Sequence, residues 1–108
     1  MDQNIQQLQL YEQNLQQILM QRQQFSSQAI ELESALKELE EATTAYKIIG
    51  NIMVLSKREE LVKELTQKKE LVELRLKSLE KQEEQIRNKA RELQEQLMKQ
   101  MKAGNKDE

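Results

Sequence analysis

The chain has 108 residues, of which 33% are charged and only three are aromatic. It contains no Cys, His, Trp or Pro. This composition excludes a disulfide, a thiol nucleophile, a Ser-His triad and the usual zinc sites. The two Gly residues, Gly50 and Gly104, are too far apart to form a phosphate-binding loop. We therefore predict that the protein is not an enzyme, with no catalytic residue, metal site or cofactor.

The charge pattern argues against nucleic acid and membrane partners. The net charge is -2, and Lys and Arg alternate with Glu without forming a basic stripe. The longest apolar stretch, residues 48–55, is far shorter than the roughly 20 residues that cross a bilayer. The first residues do not resemble a signal or transit peptide. We therefore expect a cytoplasmic protein.

Residues 3–42 are predicted to form one long helix. The segment has no Gly or Pro, and a seam of side chains recurs at alternating steps of three and four, the pattern of a coiled coil. Only Arg22 interrupts its apolar character. The seam consists of Leu8, Tyr11, Leu15, Ile18, Arg22, Phe25, Ala29, Leu32, Leu36 and Leu39.

Residues 57–102 are predicted to form a second helix with the same spacing. Ser56 and Glu59 have the spacing of a capping box at its start. Gly104 is expected to mark its end, with a frayed tail over residues 103–108. Its seam consists of Val62, Leu65, Lys69, Val72, Leu76, Leu79, Glu83, Ile86, Ala90, Leu93 and Leu97, of which Lys69 and Glu83 are the charged members.

The two seams fit each other as an antiparallel pair. Read in opposite directions, their steps of three and four mirror each other, so that Leu39 lies opposite Val62 and Leu8 opposite Leu93. A register shifted by one heptad has the same periodicity and stays open at this point. The predicted fold is mainly α, with two long helices in an antiparallel coiled coil.

The connector, residues 44–55, is predicted to be a β-hairpin. It is rich in β-branched residues, and Gly50-Asn51 at its centre suits a two-residue type II′ turn, although a longer loop is also possible. Its apolar side chains would occupy both faces of a two-stranded ribbon. The residues concerned are Tyr46, Ile48, Ile49, Gly50, Ile52, Met53, Val54 and Leu55.

Such a ribbon is marginally stable alone, because its apolar surface and both strand edges are exposed. In one interpretation the hairpin folds back onto its own helices, which would cover one face and leave the edges open. In the other, hairpins from several chains pair into a sheet or closed barrel, which removes the edges. We favour the second and predict an oligomer held together by an intersubunit β-barrel.

The order helix, single hairpin, helix, together with residues 45–54 and 74–84, resembles the β class of prefoldin subunits. The Tyr46-Lys47 and Gly50 stretch is the specific part of this likeness, which extends over nearly the whole chain as a single prefoldin-like domain. The resemblance implies a hetero-hexamer of two α-class and four β-class subunits, of archaeal type. It also implies an ATP-independent holdase that captures non-native client proteins and delivers them to a group II chaperonin.

The antiparallel arrangement would place both termini at the end away from the hairpin, and there we expect client binding. For Leu8 and Leu93, packing as the last layer of the coiled coil is the favoured alternative, whereas for the rest both interpretations stay open. A structural coiled-coil adaptor that oligomerises through its hairpin is the alternative function. The predicted client-binding residues, called the tip residues below, are Ile5, Leu8, Leu10, Leu93, Leu97, Met98 and Met101.

Overall fold

The computed structural model describes residues 2–106 and contains two helices and two strands. The order is α1 (Asp2–Glu41), β1 (Ala45–Ile49), β2 (Ile52–Ser56) and α2 (Arg58–Lys106). These bounds differ by one residue from the predicted start and end of the first helix and of the hairpin. The predicted fold of two long helices joined by an antiparallel hairpin is thus confirmed.

Burial along the helices follows the predicted seams. Every seam position of α1 and α2 is buried or half-buried, whereas most intervening positions are exposed. Ile18, Leu39 and Leu79 are the most enclosed of the apolar ones, each less than a tenth exposed. The three-four periodicity therefore identified the packed face of each helix correctly.

The chain divides into two compact units, each containing a stretch of both helices. Among the described residues, the terminal unit comprises residues 2–22 and 78–106, and the hairpin unit comprises residues 23–77. The division falls within both helices, so each unit contains its own section of the seam.

The charged seam residues each find a partner within their own unit. In the terminal unit, the Glu83 side chain is only 9% exposed and accepts contacts from Arg22 and from Arg87, the latter at 2.6 Å. In the hairpin unit, Lys69 Nζ lies 3.1 Å from a carboxylate oxygen of Glu33. The Lys69–Glu33 pair lies within one residue of the layer that the unshifted antiparallel register predicts, and it favours that register. The Arg22–Glu83 pair lies between the unshifted and the heptad-shifted layers and does not distinguish them.

The hairpin has the predicted turn. Ile49 pairs with Ile52 across Gly50-Asn51. Gly50 has φ +60°, and no other described residue has a positive φ. A positive φ at the first central position alone is the signature of a type II′ turn and suits Gly. The two-residue turn is confirmed, and the longer loop is wrong.

The predicted ends of α2 need two corrections. Ser56 is the last residue of β2, and the carbonyl of Lys57 accepts the first helical bond, from Leu61 N–H at 3.0 Å. Lys57 is therefore the N-cap residue, since cross-strand pairing holds Ser56 in the sheet.

At the other end, α2 continues through Gly104 to Lys106. Glycine inside a helix costs only about 1 kcal/mol and need not end it. Of the predicted frayed tail, residues 103–106 are helical, and residues 107–108 lie outside the described residues.

Arg58 caps the C-terminal end of α1. The last turn of α1 carries Glu40 and Glu41 but no basic residue, an unfavourable arrangement at the negative end of a helix dipole. The guanidinium of Arg58 donates to the carbonyl of Leu39 and, at 2.6 Å, to the carbonyl of Glu40. The first residue of α2 thus satisfies backbone acceptors that α1 leaves unpaired.

Lys47 ties the hairpin to α2. Its Nζ donates to both carboxylate oxygens of Glu64, at 2.8 and 2.9 Å. These hydrogen bonds hold the pKa of the Glu64 carboxyl below its ordinary value. Partial desolvation opposes the lowering, while the positive charges of Lys47 and Lys68 add to it. The ion pair is one of the contacts that fix the hairpin against the helices.

Replacing Arg22 by Leu is expected to destabilise the protein by about 1–3 kcal/mol, because it removes a partner from a nearly buried carboxylate. The double variant with Glu83→Leu should regain most of this loss, since a buried ion pair can be replaced by apolar side chains. The measurement is urea unfolding at a fixed chain concentration. Glu33→Gln is the control, because its exposed pair with Lys69 should contribute less than about 1 kcal/mol. An Arg22→Leu variant as stable as the parent would contradict the interpretation.

Replacing Lys47 by Met should raise the pKa of Glu64 toward the ordinary glutamate value of about 4.3. Since the folded pKa is lowered, the contribution of this contact is present above the ordinary pKa and is lost as the pH falls through the lowered value. A carbon-13 NMR titration of the Glu64 carboxyl measures the shift. Lys68→Met, which removes a contact of 3.7 Å, should raise it less. A larger rise in Lys68→Met would show that the wrong lysine was identified.

Candidate functional site

One face of the hairpin is uncharged and mostly apolar. The register places Tyr46 opposite Leu55 and Ile48 opposite Met53, so these four side chains share a face, called here the Tyr46 face. All four are largely bare, with 56% of Tyr46, 68% of Ile48, 64% of Met53 and 66% of Leu55 exposed. Neither helix of this chain covers them.

The opposite face, called here the Lys47 face, is mixed. It contains the pairs Ala45–Ser56, Lys47–Val54 and Ile49–Ile52. Near its base, Ala45 is buried while Lys47 and Ser56 are half-buried. Near the turn, Ile49 and Ile52 are 59% and 66% exposed, and Val54 is 43% exposed. The base of this face is therefore covered by the same chain, whereas its turn end is not.

Both hairpin strands have an unpaired edge. Within residues 2–106 the sheet has two strands, each bonded only to the other. Each strand thus presents one row of backbone groups without a strand partner. The fold-back interpretation is wrong, because seven apolar side chains on the two faces remain exposed. The sequence placed the apolar ribbon correctly, and its burial requires another molecule.

Four of the tip residues are exposed. Ile5 and Leu10 on α1 are 48% and 47% exposed, and Met98 and Met101 on α2 are 64% and 59% exposed. All four belong to the terminal unit. This unit therefore presents apolar surface from both helices.

The other three tip residues, Leu8, Leu93 and Leu97, are half-buried seam residues. Their burial agrees with the alternative that they form packed layers of the coiled coil. Exposed apolar surface in the terminal unit therefore comes mainly from side chains beside the seam.

The structure also shows exposed apolar side chains that the sequence analysis did not single out. Met20, Ile30, Leu71 and Leu74 are 63–69% exposed. Leu71 lines a shallow groove of the hairpin unit together with Leu32, Ala35 and Val72. These four residues lie outside the predicted seams, so the sequence already indicated that they face away from the partner helix. They serve as control positions for substitutions of the hairpin and tip residues.

Other kinds of site are not seen in the part of the chain that the structure describes. Residues 2–106 contain no group of acidic, His or Cys side chains arranged to hold a metal ion. No helix in that range combines the length and the apolar character that a membrane crossing needs.

Residues 2–104 match the family model of the prefoldin subunit. The chain is 43% identical to the prefoldin subunit beta of Archaeoglobus fulgidus over 96 residues, covering 86% of this chain and 83% of that protein. It is 35% identical to the prefoldin subunit beta of Methanothrix thermoacetophila over 94 residues, covering 84% and 78% of the two chains.

The fold also matches a solved structure. The crystal structure of the prefoldin beta subunit from Thermococcus strain KS-1 aligns with a TM-score of 0.85 and 33% sequence identity. The alignment covers 91% of this chain and 89% of that chain. The sequence match and the helix–hairpin–helix fold agree, and the chain therefore belongs to the prefoldin family, in its beta-subunit class.

Proposed function

We propose that this chain is one of four β-class subunits in a hetero-hexamer completed by two α-class prefoldin subunits. The hexamer acts as an ATP-independent holdase in the cytoplasm. It captures non-native polypeptides and delivers them to a group II chaperonin. The observation that supports the proposal most strongly is an apolar hairpin, bare on both faces, in a chain of the prefoldin family.

Assembly through the hairpin follows from its surface. Fully burying an aliphatic or aromatic side chain contributes about 1.5–3 kcal/mol, and the hairpin exposes seven of them. Hairpins of neighbouring subunits supply both an apolar face and strand edges, whereas a helix would cover only a face. A closed sheet made of several hairpins satisfies both requirements. This is the basis for proposing an intersubunit β-barrel.

Client capture is assigned to the tip residues. Exposed side chains such as Ile5, Leu10, Met98 and Met101 offer small apolar contacts without a shaped pocket. Methionine suits irregular surfaces, because its unbranched side chain adapts to different partners. Contacts repeated on several subunits add up, so that weak binding at each becomes strong binding overall. The half-buried Leu8, Leu93 and Leu97 would join them where the helix ends open.

Release in this proposal depends on competition. The chain has no phosphate-binding loop through which nucleotide hydrolysis could change its conformation. A bound client therefore leaves when it folds or when the chaperonin binds the same apolar segments.

Replacing Ile48 and Val54 by Asp should prevent formation of the hexamer, because Ile48→Asp puts a charge among the apolar side chains of the Tyr46 face and Val54→Asp adds a second charge to the ribbon. Affinity for the other subunits should fall by at least about 100-fold. Native mass spectrometry of the chain mixed with an α-class subunit measures assembly, and circular dichroism checks that helix content is kept. The control is Ile30→Asp with Leu74→Asp, two equally exposed residues on the helices. A hexamer mass retained by the hairpin variant would contradict assembly through the hairpin.

Replacing the four exposed tip residues by Ser should leave the hexamer intact and weaken its holdase activity. Because many weak contacts act together, the amount of hexamer needed to protect a client should rise by about tenfold. The measurement is suppression of aggregation of two unrelated denatured proteins. Ile30→Ser with Leu71→Ser and Leu74→Ser is the control, which removes equally exposed side chains of the hairpin unit.

Two results of the same assay would contradict this assignment. Full protection by the tip variant would show that clients bind elsewhere. Failure of the parent hexamer to protect either client would favour the structural adaptor, which has specific partners and no general affinity for unfolded chains.

A further inference from the structure

The two faces of the hairpin differ in a way that the proposed assembly does not by itself explain. The Tyr46 face has four largely apolar side chains, with the Tyr46 hydroxyl as its one polar side-chain group and no charge. The Lys47 face has an ammonium group at its centre, directly opposite Val54. A single ribbon therefore carries one uncharged, mostly apolar face and one charged face.

The charge is held toward the chain's own helix. Lys47 Nζ contacts both carboxylate oxygens of Glu64 on α2. Ala45, on the same face, is only 5% exposed, and Ser56 beside it is half-buried. The base of the Lys47 face is thus covered within this chain and bonded to α2 through Lys47, whereas all four residues of the Tyr46 face are more than half exposed.

The interior of a small closed sheet is filled by apolar side chains and admits no water. Turning the Lys47 face inward would bury an ammonium group and separate it from Glu64. Removing one partner of such a pair and burying the other is strongly unfavourable. Turning the Tyr46 face inward buries four largely apolar side chains and no charge, and the Tyr46 hydroxyl needs only a single hydrogen-bond partner.

We propose that the Tyr46 face is the surface that packs against hairpins of other prefoldin subunits in the interior of the shared sheet. The Lys47 face is directed outward, with its base against α2. This assignment rests on the proposed function, since it presupposes assembly through the hairpin. A hairpin of another subunit is the occupant, because only a second ribbon supplies an apolar face together with edges for both unpaired strands.

Two neighbouring cross-strand pairs allow a matched test. Ile48 and Met53 lie on the Tyr46 face, and Ile49 and Ile52 lie one step away on the Lys47 face. Exposure of the two pairs is similar, at 68% and 64% against 59% and 66%. Each pair is replaced by two Thr residues, which keep the preference for strand. Each variant of the full chain is then titrated with an α-class subunit, and assembly is measured by native mass spectrometry.

The double variant of Ile48 and Met53 should weaken assembly by at least about 100-fold, as expected for lost burial of two large apolar side chains. The double variant of Ile49 and Ile52 should weaken it at least tenfold less. Equal losses, or a larger loss for Ile49 and Ile52, would overturn the face assignment and leave the hairpin as the assembly surface. Assembly of both variants like the parent would overturn the assignment together with the proposed function.

A second measurement follows Tyr46 directly. The chain has two Tyr and no Trp, so Tyr11→Phe leaves Tyr46 as the one position that takes up 3-fluorotyrosine. The fluorine NMR signal of the labelled chain is recorded in light and heavy water, before and after an unlabelled α-class subunit is added. The solvent isotope shift should largely disappear on assembly. An unchanged isotope shift in a fully assembled complex would overturn the assignment.

Discussion

The rest of this structure depends on one constraint, which is that the chain leaves most apolar side chains of its β-hairpin uncovered. The two strands satisfy each other's backbone groups on one side only, and seven apolar side chains remain exposed. Lys47 holds the base of the ribbon to α2 through Glu64, while these seven side chains stay uncovered. Burial of this surface is the physical argument for the proposed assembly through the hairpin. Family membership and the physical argument from burial lead to the same conclusion.

The two helices are stabilised by a seam that contains few large apolar side chains. No side chain among the described residues is fully enclosed, and the seam is one layer thick. Such a seam gains stability by repetition along its length, because each layer contributes a modest amount. The charged positions within it are tolerated because each one has a partner across the pair or one turn away, as Glu83 has in Arg22 and Arg87. A coiled coil of this kind can be long and well ordered with few aromatic residues.

Helix periodicity and turn chemistry were the two features that could be predicted from the sequence. The seam positions could be predicted because three-four spacing in a segment without Pro indicates a coiled coil. The hairpin turn could be predicted because Gly50 can adopt a positive φ. The end of α2 was wrong, since a single Gly is a weak stop signal when helix-forming residues follow. The Lys47–Glu64 and Arg58–Leu39 contacts were not foreseen, because they join residues 17 and 19 positions apart across a hairpin. Side-chain contacts of this kind depend on how the ribbon leaves the helices, which periodicity does not encode. The tip residues were placed by their distance from the hairpin along the chain, and the seam pattern already separated Leu8, Leu93 and Leu97 within the seams from the four residues beside them.

Arg58 has a consequence for how this architecture can vary. Because it begins one helix and bonds to the last carbonyls of the other, it keeps the two helix ends adjacent at a point that does not involve the ribbon itself. Substitutions near the turn of the ribbon therefore leave this junction between the helices in place. A substitution at Lys47 instead removes the bond between the ribbon and α2 while the two helix ends stay joined through Arg58.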